Sequence, residues 1–301
     1  MATRRTGNRT LIRHIVLAVL AISALVALFA MLMNGNNIAV LNPAGIIADK
    51  QKSLIILTVI LGLFVVLPVF ALLFGIAWKY REGNTKARYT PNAKGNTWLE
   101  ILWWGIPAII IVILSIVTWQ SSHELDPYKE IPTDKDHTMV QVVALQWKWL
   151  FIYPELGIAS VNYLPFPEKT PIHFEITSDA PMNSFWIPNL GGQVYAMSGM
   201  STTLHLEASS TGTYRGSSAN ISGAGFARMN FNAQSMSQKD FDTWAENAAT
   251  SSNMLDVHTY ESLAKPSTAD VPKVFRLMEP DLYNEIMMKY MMPDMGHGMG
   301  M

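Results

Sequence analysis

Hydrophobic positions fall into two regimes along the chain. The first is three unbroken apolar stretches, 15–33, 54–78 and 101–119, of 19, 25 and 19 residues. About 20 apolar residues span a hydrocarbon core, so the second and third are predicted transmembrane helices. Pro68 and Pro107 lie inside them, tolerable where a neighbouring helix covers the freed carbonyl. Trp78, Tyr80, Trp103 and Trp104 stand near their ends, as interfacial aromatics do. From about residue 138 the period becomes two. Met139-Val-Gln-Val-Val-Ala-Leu, Ile172-His-Phe-Glu-Ile-Thr and Thr202-Thr-Leu-His-Leu-Glu-Ala alternate, and Gly212-Thr-Tyr-Arg-Gly leads into a further strand near Met229-Asn-Phe. Short strands with Gly and Pro between them predict an antiparallel sandwich or barrel. The segment 237–264 is helical in pattern, with a Ser237/Asp240 capping arrangement and Phe241 and Trp244 on one face. A short helix follows over 282–292.

The first stretch admits two readings. It follows Arg4, Arg5, Arg9 and Arg13 with no acid before it, which suits a signal peptide and a cytoplasmic anchor flank alike. Its length exceeds the usual signal core, and Met33-Asn-Gly-Asn is a poor small-residue cleavage site. An uncleaved helix is therefore the expectation.

Charge orients the chain. Its formal −1 divides into +8 over residues 1–119 (11 basic, 3 acidic) and −9 over residues 120–301 (11 basic, 20 acidic), the mark of two environments. Loop 79–97 holds Lys79, Arg81, Lys86, Arg88 and Lys94 against Glu82, so the positive-inside bias puts it in the cytoplasm. Residues 120–301 then face the periplasm of a bacterial inner membrane.

The chain has no cysteine. That excludes disulfides, thiolate zinc sites, iron–sulfur clusters, blue copper, cysteine nucleophiles and a lipidated cysteine at the N-terminus. There is no nucleotide-binding glycine motif, no hydrolase elbow and no basic, aromatic-interleaved stripe for nucleic acid. His173 and His205 lie on strands without a second ligand at metal spacing, and read as surface or hydrogen-bonded strand histidines.

Three features remain as candidate chemistry. The run Trp147-Lys-Trp149-Leu-Phe151-Ile-Tyr153 is one face of a strand, or a partner contact anchored by Trp147 and Trp149. Seven of the last fifteen residues are Met, with His297 among them. They are either soft Cu(I) donors or, at Met287, Met288, Met291 and Met292, an apolar helix face followed by a Gly-rich tail. Glu100 sits at the cytoplasmic mouth of the last transmembrane helix. It marks an ion or proton path, or is simply favoured by the helix macrodipole.

From about Asn42 onward the chain resembles subunit II of the haem–copper respiratory oxidases. The likeness is dense in Gln146-Trp-Lys-Trp-Leu-Phe-Ile-Tyr-Pro-Glu, in Met182-Asn-Ser-Phe-Trp-Ile-Pro-Asn-Leu-Gly-Gly and in Gly212-Thr-Tyr-Arg-Gly-Ser-Ser-Ala-Asn-Ile-Ser-Gly. It implies a transmembrane helical hairpin and a periplasmic cupredoxin-like Greek-key β domain. The implied boundaries are 1–36 signal or anchor, 37–120 hairpin, 121–235 cupredoxin-like domain, and 236–301 helical extension with the Met-rich tail. Cytochrome c oxidases of this family carry a dinuclear copper centre, CuA, in subunit II. The resemblance puts its two cysteines at Ser218 and Ser222, its carbonyl ligand at Asn220, its histidines at Asn183 and Phe226, and its methionine at Met229. Hydroxyls and a phenyl ring do not replace thiolates and imidazole, so the centre is not expected to form and these positions bind no metal.

Loss of that centre, with WKWLFIYPE and MNSFWIP, resembles the cytochrome bo-type ubiquinol oxidases. The implied reaction is ubiquinol oxidation by O2 with proton pumping. Two haems and CuB would lie in subunit I, and this chain, without cofactor or catalytic residue, would brace subunit I, have subunits III and IV as further partners, and receive no cytochrome c. Glu100 matches the family position where a carboxylate marks the cytoplasmic opening of a proton-uptake pathway. Relatives in this branch are commonly lipoproteins, whereas Asn36 stands about where the lipidated cysteine would be. Two rivals are a cytochrome c oxidase subunit with altered electron transfer and a free membrane-anchored cupredoxin-like module.

Overall fold

The structure is a computed structural model, describing residues 38–88, 90, 95–133, 135–268 and 271–291. The expected signal or anchor segment 1–36 lies outside them.

Two long helices, α1 (Ile46–Lys79) and α2 (Thr97–Glu124), outrun the apolar stretches at both ends, and both are long and apolar enough to cross a membrane. The start of α2 is fixed by Asn96, whose side-chain oxygen accepts from Trp98 N (3.0 Å) and Leu99 N (3.4 Å), filling two of the donors a helix leaves open. Lys50 near the start of α1 pairs with Glu124 at the end of α2 at 2.5 Å. The helices therefore form a hairpin whose domain-side ends are tied together.

The strands are β1 (Thr138–Leu145), β2 (Lys148–Tyr153), β3 (Ile158–Val161), β4 (Tyr163–Pro167), β5 (Ile172–Ser178), β6 (Asn183–Trp186), β7 (Val194–Ala196), β8 (Thr202–Leu206), β9 (Gly212–Ser218), β10 (Asn230–Met236), β11 (Met254–Leu255) and β12 (Lys273–Leu277). One sheet runs β11-β12-β3-β2-β1-β5-β8, the other β4-β10-β9-β6-β7. The purely antiparallel expectation is corrected: β1 with β5, β4 with β10 and β11 with β12 are parallel. Alternation cannot reveal this, because it encodes which face is buried and not strand direction.

Between the sheets lies an aromatic core. Trp149, Phe151, Phe174, Phe185 and Phe231 are buried there, and Phe185 stacks on Phe231 with ring centroids 5.3 Å apart. Gly216 sits under the Phe231 ring, where a Cβ would collide with it.

Three helices follow the sandwich: α3 (Gln238–Ala249), α4 (Val257–Ala264) and α5 (Leu282–Met291). Ser237 caps α3 as the pattern predicts, accepting from Asp240 N at 3.2 Å. The extension is not helical throughout, since its strands β11 and β12 lengthen the larger sheet beyond β3. Tyr260, Leu282, Tyr283 and Ile286 cover that sheet's outer face over Val143, Leu145, Leu150 and Ile152. This second layer explains why every residue of β2 is buried.

Candidate functional site

Of the positions that the resemblance pairs with copper ligands, Asn183, Ser218 and Asn220 are brought together by hydrogen bonds. Asn183 opens β6 and Ser218 ends β9, and the register Phe185↔Ser218 sets them side by side. Ser218 Oγ donates to Asn183 Oδ1 at 3.0 Å, a bond buried among apolar neighbours, and lies 3.1 Å from Asn220 O. Asn183 Nδ2 donates to Pro181 O at 2.7 Å, and Asn220 Nδ2 to Met182 O at 2.9 Å. Met229 is fully buried beneath the loop, and its carbonyl accepts from Ser218 N at 3.2 Å. Phe226 opens a short 3-10 turn, Phe226–Arg228. Ser222 Oγ is buried without a hydrogen-bond partner.

Trp147 holds this loop in place. Its backbone is left-handed, φ 67°, a costly conformation for a bulky residue that persists only where surroundings impose it. The constraint is visible. The indole N–H donates to Ser222 O at 3.1 Å, and the ring lies against Gly223 and Gly225, where a Cβ at Gly225 would clash with it. Trp147 is half-buried. Trp149 is fully buried, edge-on to Phe185 and Phe231, so its expected partner-facing role is corrected to a core role. Both faces of β2 are covered, and alternation alone could not show that.

The strand histidines have a partner that sequence spacing could not reveal. The β5–β8 register sets His173 opposite His205, with His205 Nε2 3.0 Å from His173 Nδ1 and His205 Nδ1 3.2 Å from Pro127 O. With the Pro127 carbonyl accepting from His205 Nδ1–H, a neutral His205 leaves Nε2 to accept from His173 Nδ1–H. Burial pushes the His205 pKa down, as do the charges of His173 and His137, against the Pro127 hydrogen bond and the Glu130 charge, which raise it. A histidine with a depressed folded pKa contributes stability that is present above its unfolded pKa, about 6.5, and lost as pH falls through the folded value. Thermal melts of the detergent-solubilised chain between pH 7.5 and 5 are expected to fall, with this group supplying at most about 1.4 kcal/mol per pH unit. His205→Gln should flatten that slope; an unchanged slope would dismiss the pair as the titrating element.

Asp179, just after β5, was not singled out by the sequence. Its side chain is 2 % exposed, yet it accepts from Tyr260 Oη (2.5 Å), Tyr290 Oη (2.5 Å) and Lys289 Nζ (2.8 Å). Burial alone would raise its pKa; the hydrogen bonds from Lys289, Tyr260 and Tyr290, with the Lys289 charge, outweigh it and hold the carboxyl below the usual range. Burial and the bond to Asp179 push the Tyr290 hydroxyl up to about 12. Glu100 lies in the first turn of α2 and is exposed, with its carboxylate against Gly95.

Comparison with known proteins bears directly on this arrangement. A family model described as the COX Aromatic Rich Motif matches residues 250–294, the stretch that holds α4, β12 and α5. Over 86 % of this chain and 83 % of its own length, "Cytochrome bo(3) ubiquinol oxidase subunit 2" of Pseudomonas putida is 47 % identical. "Ubiquinol oxidase subunit 2" of Acetobacter aceti is 46 % identical over 87 % and 85 %. The chain belongs to the quinol oxidase subunit 2 family. "Quinol oxidase subunit 2" of Bacillus subtilis is 39 % identical over 83 % of this chain and 79 % of its own. Among solved structures, the periplasmic domain of cytochrome oxidase subunit II from Bradyrhizobium japonicum is similar, with TM-score 0.36 and 22 % identity, covering 38 % of this chain and 96 % of that one.

As a quinol oxidase subunit 2, the chain is part of a membrane-anchored oxidoreductase complex. Its residues do not fit CuA. At the positions the resemblance gives to the bridging thiolates stand two serines, Ser218 hydrogen-bonded and Ser222 with its hydroxyl unpartnered, and at one imidazole position stands the phenyl ring of Phe226. Among the described residues, no three His, Asp or Glu side chains converge in a way that would hold a metal ion.

Proposed function

We propose that this chain is the non-catalytic subunit 2 of a proton-pumping terminal oxidase that oxidises ubiquinol with O2. Its periplasmic domain braces a haem-bearing subunit I, with subunits III and IV as further partners, in a bacterial inner membrane. The observation that carries the reading is the Ser218–Asn183 hydrogen bond at the place where cytochrome c oxidases gather CuA. Electrons from a soluble cytochrome have no acceptor there, so the substrate must deliver them directly to subunit I, as a membrane-dissolved quinol does. Two haems and CuB belong to subunit I in this reading, and this chain contributes no reacting atom. The matches at 46 and 47 % identity to proteins named as ubiquinol oxidase subunits support it.

The test is to purify the complex that holds this chain and measure oxygen uptake. Quinol-dependent uptake without cytochrome c oxidation is the expected result, and the reverse pattern overturns the proposal.

Glu100 serves in this reading at the cytoplasmic mouth of a proton-uptake path. The five basic residues of loop 79–97 support that side, and the uncapped amide donors of the first turn favour an anion there. Glu100→Ala should slow turnover, by less than the roughly 100- to 10,000-fold that a proton-transfer group at the reacting centre contributes, while haem spectra remain unchanged. Full turnover and pumping in that variant would falsify the role.

A further inference from the structure

The two long helices are joined to the sandwich by different chemistry. α1 enters it through backbone bonds, Ala44 N to Asn189 O, Ala48 N to Leu190 O and Ser209 N to Ala44 O, none of which titrates. α2 leaves through the linker 125–137. Among the described residues, the first hydrogen bonds this linker makes to the sandwich are at Pro127 O. It accepts from His205 N at 3.2 Å and from His205 Nδ1 at 3.2 Å. His205 is buried.

The state of the ring pair is set by how many protons it holds. Pro127 O can only accept, so His205 Nδ1 carries a hydrogen. His205 Nε2 lies 3.0 Å from His173 Nδ1, and a single proton between these facing nitrogens closes the pair. A proton added to the far nitrogen of His173 leaves that bond in place. A second puts hydrogens on both facing nitrogens and makes two cations whose ring centroids are 4.6 Å apart, and the bond is lost. His137 stands edge-on to His205 at 6.3 Å, its own Nε2 buried without a hydrogen-bond partner.

The neighbouring charges do little to accommodate that second proton. Glu175, two places from His173 on β5, is bonded to Gln141 Nε2 at 3.0 Å, and Asp126 Oδ1 is taken by Tyr128 N at 3.0 Å. Lys129 lines the cavity beside His205, where α1 presents only the neutral Ile47 and Gln51. Glu207 follows two places along the chain. Burial, with the charges of His173 and His137, outweighs the Pro127 bond and the charge of Glu130 and holds His205 below the ordinary histidine range. The cavity, about 160 Å3 between Gln51, Leu125, Pro127 and His205, gives a released linker room to move.

We propose that His205 and His173 form a proton-operated strap. It holds the exit of α2 against the sandwich while one proton lies between the facing nitrogens, and lets go when both nitrogens are protonated. The protons come from bulk water and are not passed on. In the pumping complex proposed above, protons are delivered to this side of the membrane, so the strap loosens as they accumulate; that consequence rests on the pump reading, whereas the strap itself belongs to the chain alone.

The His205 amide, bonded to Pro127 O, reports the strap directly. Its hydrogen–deuterium exchange in the full chain in detergent, corrected for the intrinsic rate, should quicken about tenfold from pH 7.5 to 5.5. That is the ratio for one linked proton on a histidine that titrates at about 6.5 once released. The Ala44 and Ala48 amides should not change. His173→Gln takes no proton and offers His205 either its amide N–H or its carbonyl oxygen, so exchange in that variant should be slow and equal at both pH values. Equal exchange at both pH values in the wild type, or a tenfold rise that persists in His173→Gln, overturns the proposal. Neither outcome bears on quinol-dependent oxygen uptake by the complex, so the strap and the proposed function fail separately.

Discussion

Asp179→Ala should unfasten the C-terminal layer and lower stability by about 3–5 kcal/mol, the range for breaking a buried charged network from one side. The side chain reaches across 81 positions to Tyr260 and 110 to Lys289, so it is the point at which residues 250–291 are attached to the sandwich by charge as well as by apolar contact. Its loss leaves the Tyr260 hydroxyl, seated in the second core cluster, without an acceptor. Lys289 is 58 % exposed at its side chain, so Lys289→Met should cost about 1 kcal/mol or less, as a half-solvated pair does. Thermal melting of the detergent-solubilised chain, with limited proteolysis mapping the first cleavage, distinguishes the two. Cleavage within residues 250–291 of the Asp179→Ala chain is expected; a melt within 1 kcal/mol of wild type would remove Asp179 as the fastening. The carboxyl is held below its ordinary value, so its contribution is present above the unfolded aspartate pKa of about 3.9 and lost as pH falls through the folded one. Acidification below about pH 4 should therefore imitate the substitution.

The second large effect is a gain. Asn183→His, Ser218→Cys, Ser222→Cys and Phe226→His together should convert a chain without CuA into one that binds two copper ions with a mixed-valence EPR signal and a near-infrared band. Part of the geometry already exists. Ser218 and Asn183 touch at 3.0 Å, the Asn220 carbonyl is 3.1 Å from Ser218 Oγ, and Met229 is buried alongside. A backbone carbonyl does not depend on its side chain, so Asn220 needs no change. A thiolate ligand at position 222 replaces a hydroxyl, Ser222 Oγ, that is buried without a hydrogen-bond partner, a deficit of about 1–3 kcal/mol. Omitting Ser218→Cys should abolish the mixed-valence signal. Isolated single-copper spectra from the complete variant would show that the loop clamped by Trp147 no longer reaches the required shape.

What was legible in the sequence, and what was not, divides along range. The hairpin helices announce themselves by composition, and β5 and β8 by strict alternation around Phe174 and Leu204. Ser237 announces the start of α3 through a bond spanning three residues. Pairings across many residues carry no such local signal. His173 and His205 meet only because β5 and β8 are registered, and Asp179 meets Tyr260 only after the extension folds back. β11 spans 2 residues, too short for a period to show. Trp149 misled for a physical reason: alternation says that a face is apolar, and a second layer over the sheet makes both faces of β2 interior. The residues that the resemblance pairs with copper ligands can be named from identity alone, whereas the hydrogen bonds between Ser218, Asn183 and Asn220 cannot.

The approach to α1 has a mechanical consequence. Ala44 N donates to Asn189 O (2.7 Å), Ala48 N to Leu190 O (3.1 Å) and Ser209 N to Ala44 O (2.8 Å), while Asn189 Nδ2 reaches Asn42 O at 2.8 Å. Gly45 lies so close to Glu207 that a side chain there would strike its carbonyl. The stretch entering the bilayer is thus woven into the sandwich and does not hang from it as a tether. A tethered domain samples a volume set by its linker; a woven one has a single height and azimuth above the lipid. Tilting the two helices would carry the whole sandwich with them like a lid on a bolted hinge plate, and a pull on the sandwich would reach the hydrocarbon core undiminished.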